Sequence, residues 1–357
     1  MKIHLKFLSF IFFKSFFYVF SIFLSLVLIL NLLNEIEFFK NIEINNYYPI
    51  YLSFLNSPSI IFEIFPFIFL ISTQFFFIRL FENNEIQIFK YSGFKNSKLI
   101  IIISFLTFLI SLILILIFYN FSSDLKKIYL EFKNQYTSDS EYLAVITKNG
   151  LWLKDIVENK TNFINASKIE KNFLMNTTIT QFDENHFAYS NIFSEKIDIT
   201  TKEWLLINPS IVAENKTETI ADFKIKSNFD YNRIQSLFSD LTSLTILGLI
   251  ELRKNYRNLN YSTIDVDIHL HRLIAYPFYL ISMVILSSII MLNSKEFKNS
   301  TIKISIGLFF SVIIYYLNNI FNLMGQTEKI PIILSIWSPI ILLYFINSVF
   351  LLKINEK

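Results

Sequence analysis

Six runs of about 20 apolar residues constrain this 357-residue chain more than any other feature; they lie near 10–33, 59–80, 99–121, 273–292, 302–323 and 332–352. Crossing a hydrocarbon core of ~30 Å takes about 20 residues at a rise of ~1.5 Å each. In lipid, a single span satisfies its own backbone polar groups only as a helix. The runs therefore predict six transmembrane α-helices, divided three and three by a polar block at about 122–270. The 53% hydrophobic content and 41 Phe fit lipid-facing helices better than an average soluble domain. The first run follows Lys2, His4 and Lys6. It is too long for a cleaved signal and has no small-residue cleavage site, so it reads as a retained anchor. Leu237–Ile250, interrupted by Asp240, reads as a helix beside the membrane or against the polar block.

Charge sets the orientation, because cytoplasmic loops carry an excess of Lys and Arg. Lys2, Lys6 and Lys14 flank the first run, and Arg79, Lys90, Lys95 and Lys98 surround the loop after the second. Lys295, Lys298 and Lys303 follow the fourth, and Lys353 and Lys357 the sixth. The opposite loops are poorer in cations: 34–58 carries Glu35, Glu37 and Glu43 against Lys40, and 324–331 carries Glu328 and Lys329. Both termini are expected in the cytoplasm, with the block at 122–270 outside.

Within that block, alternating apolar and polar residues predict short strands. They fall at Tyr142–Thr147, Leu151–Lys154, Asn162–Ile164, Thr177–Phe182, His186–Ser190, Lys196–Thr200, Glu203–Ile207 and Thr219–Ile225, with an Asn149-Gly150 hairpin turn after the first. The pattern predicts an all-β sandwich or jelly roll large enough to bury its own core.

Several activities are excluded. The five glycines, at 93, 150, 248, 307 and 325, are scattered. A phosphate-cradling loop needs them clustered, so no nucleotide site of its own is expected. The histidines at 4, 186, 269 and 271 form no catalytic or metal-ligating set, and the chain has no Cys. No metal, cofactor or nucleic-acid partner is expected, and the net charge of +3 by itself says nothing about nucleic acid. Glu63 stands about one turn inside the second run, where a carboxylate is costly, so it is a candidate for a functional role or for a structural one at the outer helix end; Pro66, one turn later, is a candidate kink. Lys126, Lys127 and Lys133 follow the third run at the outer interface, and Arg272 opens the fourth. These four suit either an anionic lipid headgroup or ordinary snorkelling of long cations.

Ordered motifs along the chain resemble the LptF/LptG permease family of the lipopolysaccharide export system. Pro58-Ser-Ile-Ile-Phe-Glu63-Ile-Phe-Pro66-Phe is similar to the family's second span, and Glu82-Asn-Asn-Glu85-Ile through Tyr91-Ser-Gly93-Phe94 to its cytoplasmic coupling segment. Asn149-Gly-Leu-Trp-Leu-Lys-Asp155 resembles a strand near the start of its β domain. His271-Arg272 before Pro277, and Ile330-Pro331 with Trp337-Ser-Pro339, resemble the openings of its fourth and sixth spans. The Gly-Leu-Trp-Leu-Lys-Asp and Tyr-Ser-Gly-Phe forms are closer to LptG than to LptF. One departure stands out: the family often carries a basic residue at the outer end of span one, where this chain offers Asn31, Asn34 and Glu35.

The resemblance implies helices one to three over 1–121 with a coupling segment at 80–98. A periplasmic β-jelly-roll domain and linker follow at 122–270, then helices four to six at 271–357. It implies an inner-membrane transport subunit rather than an enzyme, paired with its paralogue over a dimer of the ATPase LptB, which binds the ATP. LptC and a periplasmic bridge protein would receive the lipopolysaccharide. Glu82, Glu85 and Gly93 become coupling residues, and Lys126, Lys127, Lys133 and Arg272 lipid-binding candidates. The alternative class is a membrane-anchored periplasmic ligand sensor or another lipid-handling membrane protein.

Overall fold

The computed structural model describes residues 3–40, 42, 45, 47–134, 136, 151–157, 160–170, 172–183, 187–213, 216–231, 234, 240–258, 262–293 and 299–355. In chain order the first helices are α1 (Ile3–Phe38), α2 (Tyr48–Glu82), α3 (Glu85–Tyr91) and α4 (Asn96–Ile113). A π-helical segment, Leu114–Tyr119, joins α4 to α5 (Asn120–Asn134). Eight strands follow: β1 (Leu151–Val157), β2 (Lys160–Glu170), β3 (Phe173–Phe182), β4 (Ala188–Asp198), β5 (Glu203–Ile207), β6 (Ser210–Ala213), β7 (Lys216–Thr219) and β8 (Asp222–Lys226). The chain ends with α6 (Ile246–Asn258), α7 (Ile264–Leu292), α8 (Ser300–Gln326) and α9 (Ile332–Asn355). Two compact units result: Met1–Lys126 with Ile264–Lys357, and Lys127–Thr263.

Six helical stretches are long and apolar enough to cross a membrane: α1, α2, α4 continuing through the π segment into α5, α7, α8 and α9. The inner pair is α2 and α7, with 67% and 61% of their apolar windows buried, against 22% for α1 and 17% for α8. Small polar residues on both helices are buried and permit close helix packing: Ser59, Ser72 and Thr73 on α2 and Ser282, Ser287 and Ser288 on α7, while Ser53 and Ser57 of α2 bond to α1. Hydrogen bonds to main-chain carbonyls then fasten the helices. Ser287 donates to the Leu70 carbonyl (2.7 Å), Gln74 to that of Lys303 (3.0 Å), and Asn347 to that of Ser282 (3.0 Å).

The second span begins at Tyr48, well before the expected residue 59, with proline in its first turn as a pre-set helix starter. Asn56, Ser57 and Pro58 interrupt the apolar run, yet they lie inside the helix because their polar groups find partners. Asn31 on α1 donates to Ser57 Oγ (3.0 Å), Asn56 donates to Asn31 Oδ1 (3.4 Å), and Lys126 Nζ donates to Asn56 Oδ1 (2.7 Å).

The expected antiparallel β domain is present between the third and fourth spans. Its strands pair in the order β1-β2-β3-β4-β5-β8, and β6 joins both β4 and β7. β4 serves two neighbours: Ser190–Phe193 pairs with β6, and Lys196–Asp198 with β5. Buried residues of β3 and β4, among them Leu174, Ile179, Ile192 and Ile197, form part of the domain's core, with the alternation shifting by one residue near Asn176 and Glu195. Trp204 is fully buried, and its indole N–H donates to the Phe229 carbonyl (2.8 Å).

Several strand expectations change in detail. Tyr142–Thr147 and the Asn149-Gly150 turn lie outside the described residues. The two strands expected at 186–190 and 196–200 belong to the single strand β4. Thr219–Ile225 is replaced by the end of β7, a short turn and β8. β6 and most of β7 escaped notice because four-residue strands show too little alternation to stand out. Of the helix expected at Leu237–Ile250, residues 237–239 lie outside the described residues; from 240 on, a short 3-10 turn at Leu241–Ser243 precedes α6, which starts at Ile246. Asp240 caps that turn by accepting from the Thr242 N–H (2.9 Å).

Candidate functional site

The link between α2 and α4 is built around two residues with left-handed backbones. Asn84 (φ 57°) turns the chain out of α2, and Gly93 (φ 77°) turns it out of α3 toward α4. Glycine adopts that region without the steric penalty of a Cβ. Between them stands the seven-residue helix α3. Glu85 opens it, where the exposed N–H groups and helix dipole favour a carboxylate, and Asn83 donates to Glu85 Oε1 (3.2 Å). Lys90 stands in the last turn, the complementary end for a cation.

One side of this segment is anchored on α1. Ile86 is buried, the Phe89 ring lies 6.3 Å from Phe7, and the Phe94 ring meets His4 edge-on at 4.7 Å. Lys98 Nζ sits 4.2 Å from the centre of the Phe94 ring, a cation–π contact that ties the start of α4 to the same cluster. The other side is open: Glu82 and Gln87 are exposed, and Ile88 and Tyr91 are 61% and 88% exposed. Sequence reasoning singled out Glu82, Glu85 and Gly93 but missed Ile88 and Tyr91. The segment 85–94 carries Ile86, Ile88, Phe89, Tyr91 and Phe94, and nothing in the sequence tells which of the five are left exposed.

The four cationic candidates have different surroundings, each within its own unit. Lys126 donates to Asn56 Oδ1, which engages it in the polar set between α1 and α2. Lys127 pairs loosely with Glu131 (4.0 Å) and is largely exposed. Lys133 is buried, donates to the Tyr129 hydroxyl (2.7 Å) and lies over that ring. Arg272, on α7, is exposed. Burial, and secondarily the charge of Glu131, raises the Tyr231 phenol above its ordinary value, so this group is neutral at physiological pH.

Glu63 lies about four turns into α2 rather than near its end, because that helix starts early. Its side chain is exposed on the flank of the helical unit, whereas Pro66 is buried. Proline has no N–H, so it leaves the carbonyl four residues back without its helical donor. That carbonyl belongs to Phe62, and the Tyr276 hydroxyl of α7 donates to it. Nearby, Tyr119 at the end of the π segment is paired with His269 Nε2 at 2.8 Å. The wider π turn shifts the register of the third span at that point, a feature for which the sequence has no local signal.

In the β domain, Asp155 of the Gly-Leu-Trp-Leu-Lys-Asp motif is fully buried. It accepts from Ser227 Oγ (2.7 Å), the Asn228 N–H (3.1 Å) and Asn228 Nδ2 (2.9 Å). The motif thus ends in a clasp joining the first described strand to the segment after the last. Trp152 of the same motif is 58% exposed. Among the described residues no group of His, Asp and Glu gathers as metal ligands would.

A search of curated proteins gave no individual match to this chain. The model of the lipopolysaccharide export system permease family, LptF/LptG, matches residues 6–353, nearly the whole length. The match covers LptF and LptG alike, and it runs through the six spans, α3 and the inserted β domain. The chain therefore belongs to the LptF/LptG family of lipopolysaccharide export permeases.

Proposed function

We propose that this chain is one of two paralogous permease subunits of an exporter that lifts lipopolysaccharide out of the inner membrane. ATP is hydrolysed by a separate LptB dimer, and the lipid passes through the periplasmic β domain toward LptC and a bridge to the outer membrane. Both termini and α3 lie in the cytoplasm, in keeping with the Lys- and Arg-rich loops on that side. The family match over 6–353 carries this reading.

The parts divide the work. An ATPase needs a handle on the permease, and α3 offers one. Phe89 meets Phe7 of α1, Ile86 is buried, and Glu82, Ile88 and Tyr91 face outward with Glu85 half-buried beside them. An exposed tyrosine and isoleucine beside carboxylates suit a groove with an apolar floor and a cationic rim. Gly93 lets a tilt of α3 reach α4. The sparse burial of α1 and α8 leaves room in the membrane for the paralogue and for acyl chains. Of the cations, Arg272 and Lys127 are the more accessible to lipid phosphates, since Lys126 and Lys133 already donate within their own units.

Affinity purification of the full chain from its native membrane tests the reading. An ATPase and a second six-span permease are expected to co-purify; recovery of a sensor kinase instead would overturn it. Glu85→Lys is expected to reduce ATPase recovery about tenfold or more, as loss of one charge-assisted contact of ~1.4 kcal/mol or greater requires. Glu37→Lys, on the opposite side in this topology, is expected to leave recovery unchanged.

A further inference from the structure

Lys303 stands in the first turn of α8 and is buried, at 6% exposure, and the transport reading gives it no role. A helix N-terminus disfavours a cation, so its own helix does not hold this charge. The ammonium reaches the opposite end of a neighbour. Nζ donates to the Met291 carbonyl (2.9 Å), one of the last four of α7, which have no acceptor role inside that helix. Nζ also lies 5.3 Å from the centre of the Phe81 ring, in the last turn of α2. Among the described residues the Met291 carbonyl is its one hydrogen-bond acceptor, and no carboxylate pairs with it.

Stability alone gives no reason for a charge at this position. Methionine has a similar reach and no ammonium to desolvate, and a buried ion with most of its donors unused is costly. What the ammonium adds is a joint between helices. The Lys303 carbonyl accepts from Gln74 Nε2 (3.0 Å), and Gly307, one turn on, brings α8 against the same amide. Gln74 and Phe81 lie two turns apart on one face of α2. Lys303 therefore holds α2 at both levels, through its main chain and its side chain, and the side chain holds the end of α7 as well.

Phe81 is followed directly by Glu82 and the link to α3. The bonds from Ser287 to the Leu70 carbonyl and from Tyr276 to that of Phe62 also tie α7 to α2, but they lie further from α3. We infer that Lys303 is a positioning residue for coupling: its ammonium makes the ends of α2, α7 and α8 move together, so that a displacement of α3 by the ATPase reaches spans four and five. The inference rests on the proposed transport reading. It adds a route into the second half of the chain to the one through Gly93 and α4.

The full chain with its paralogue and ATPase, reconstituted in phospholipid vesicles that contain lipopolysaccharide, tests the inference. The quantity measured is lipid delivered to the soluble bridge protein per ATP hydrolysed. Lys303→Met is expected to lower that ratio about fivefold, the low end of ordinary coupling between sites, with ATPase recovery and the unfolding midpoint unchanged. Lys303→Arg keeps the charge and the donors, and is expected to stay within about twofold of the unaltered complex. Phe81→Leu, which removes the ring and keeps apolar bulk, is expected to add no further loss in the Lys303→Met background. Equal ratios for the unaltered and Lys303→Met complexes would overturn the inference, as would additive losses in the double variant. A Lys303→Met protein that fails to fold, or an equal loss for Lys303→Arg, would assign the residue to packing and overturn it too. An unaltered complex that delivers no lipid on ATP hydrolysis would overturn the transport reading itself, and the inference with it.

Discussion

At the scale of single residues, the proline in α2 shows how a membrane helix tolerates a missing donor. The Phe62 carbonyl freed by Pro66 has no water to turn to inside a bilayer, and an unpaired carbonyl there is costly. Tyr276 donates to it while its ring stacks on Phe62 at 4.7 Å and 15°. Tyr276→Phe keeps the stacking and removes only the donor. It is expected to cost about 1–3 kcal/mol, read as a lower thermal unfolding midpoint in detergent. Pro66→Ala restores the N–H at position 66, so the same Tyr→Phe change in that background should cost well under half as much. Equal costs in the two backgrounds, in a double-mutant cycle, would reject the pairing. The sequence marked Pro66 as a kink candidate. Its partner stands 214 residues from Phe62, and no local pattern reports a contact at that separation.

At the scale of elements, close approach explains why α8 tolerates no side chain at Gly307. A Cβ there would lie 2.0 Å from Gln74 Nε2, the atom that donates to the Lys303 carbonyl. Gly307→Ala is expected to displace that buried amide from its acceptor and to destabilise the protein by about 1–3 kcal/mol. Pairing it with Gln74→Ala, which clears the space, should return part of that loss, as seen in the unfolding midpoint. Gly93 is the contrast: a Cβ there meets nothing within 4 Å, so only its left-handed backbone disfavours substitution. The six spans were legible because long apolar runs have few alternative meanings in water or lipid. The start of α2 was not, because Asn56 and Ser57 look like loop residues until Asn31 and Lys126 supply their partners. The β domain was legible as alternation, and its boundaries blurred where β4 changes partners midway. In the α2–α4 link charge was legible, whereas the exposure of Ile88 and Tyr91 depends on how α3 packs.

At the scale of the whole molecule, the proposed mechanism depends on sidedness. In that proposal a separate ATPase grips α3 from the cytoplasm, and the β domain hands on lipid from the other side. Charge distribution argues for that arrangement, since moving Arg79, Lys90, Lys95 and Lys98 across the bilayer together is strongly disfavoured. The chain has no Cys, so an introduced thiol is the sole target for a membrane-impermeant maleimide. Tyr91 and Phe187 are suitable positions, being 88% and 72% exposed and placed on α3 and just before β4. In intact spheroplasts Phe187→Cys is expected to label fully and Tyr91→Cys to label only after lysis. In inverted vesicles the order should reverse. If Tyr91→Cys labels from outside, α3 faces away from any cytoplasmic motor, and coupling through Glu85 is ruled out. If both label from one side, an even number of crossings separates α3 from the β domain, and the third span, and with it the six-span count, fails. Labelling at Phe187 from outside and at Tyr91 from inside leaves the chain as a conduit whose energy enters at one face and whose cargo leaves at the other.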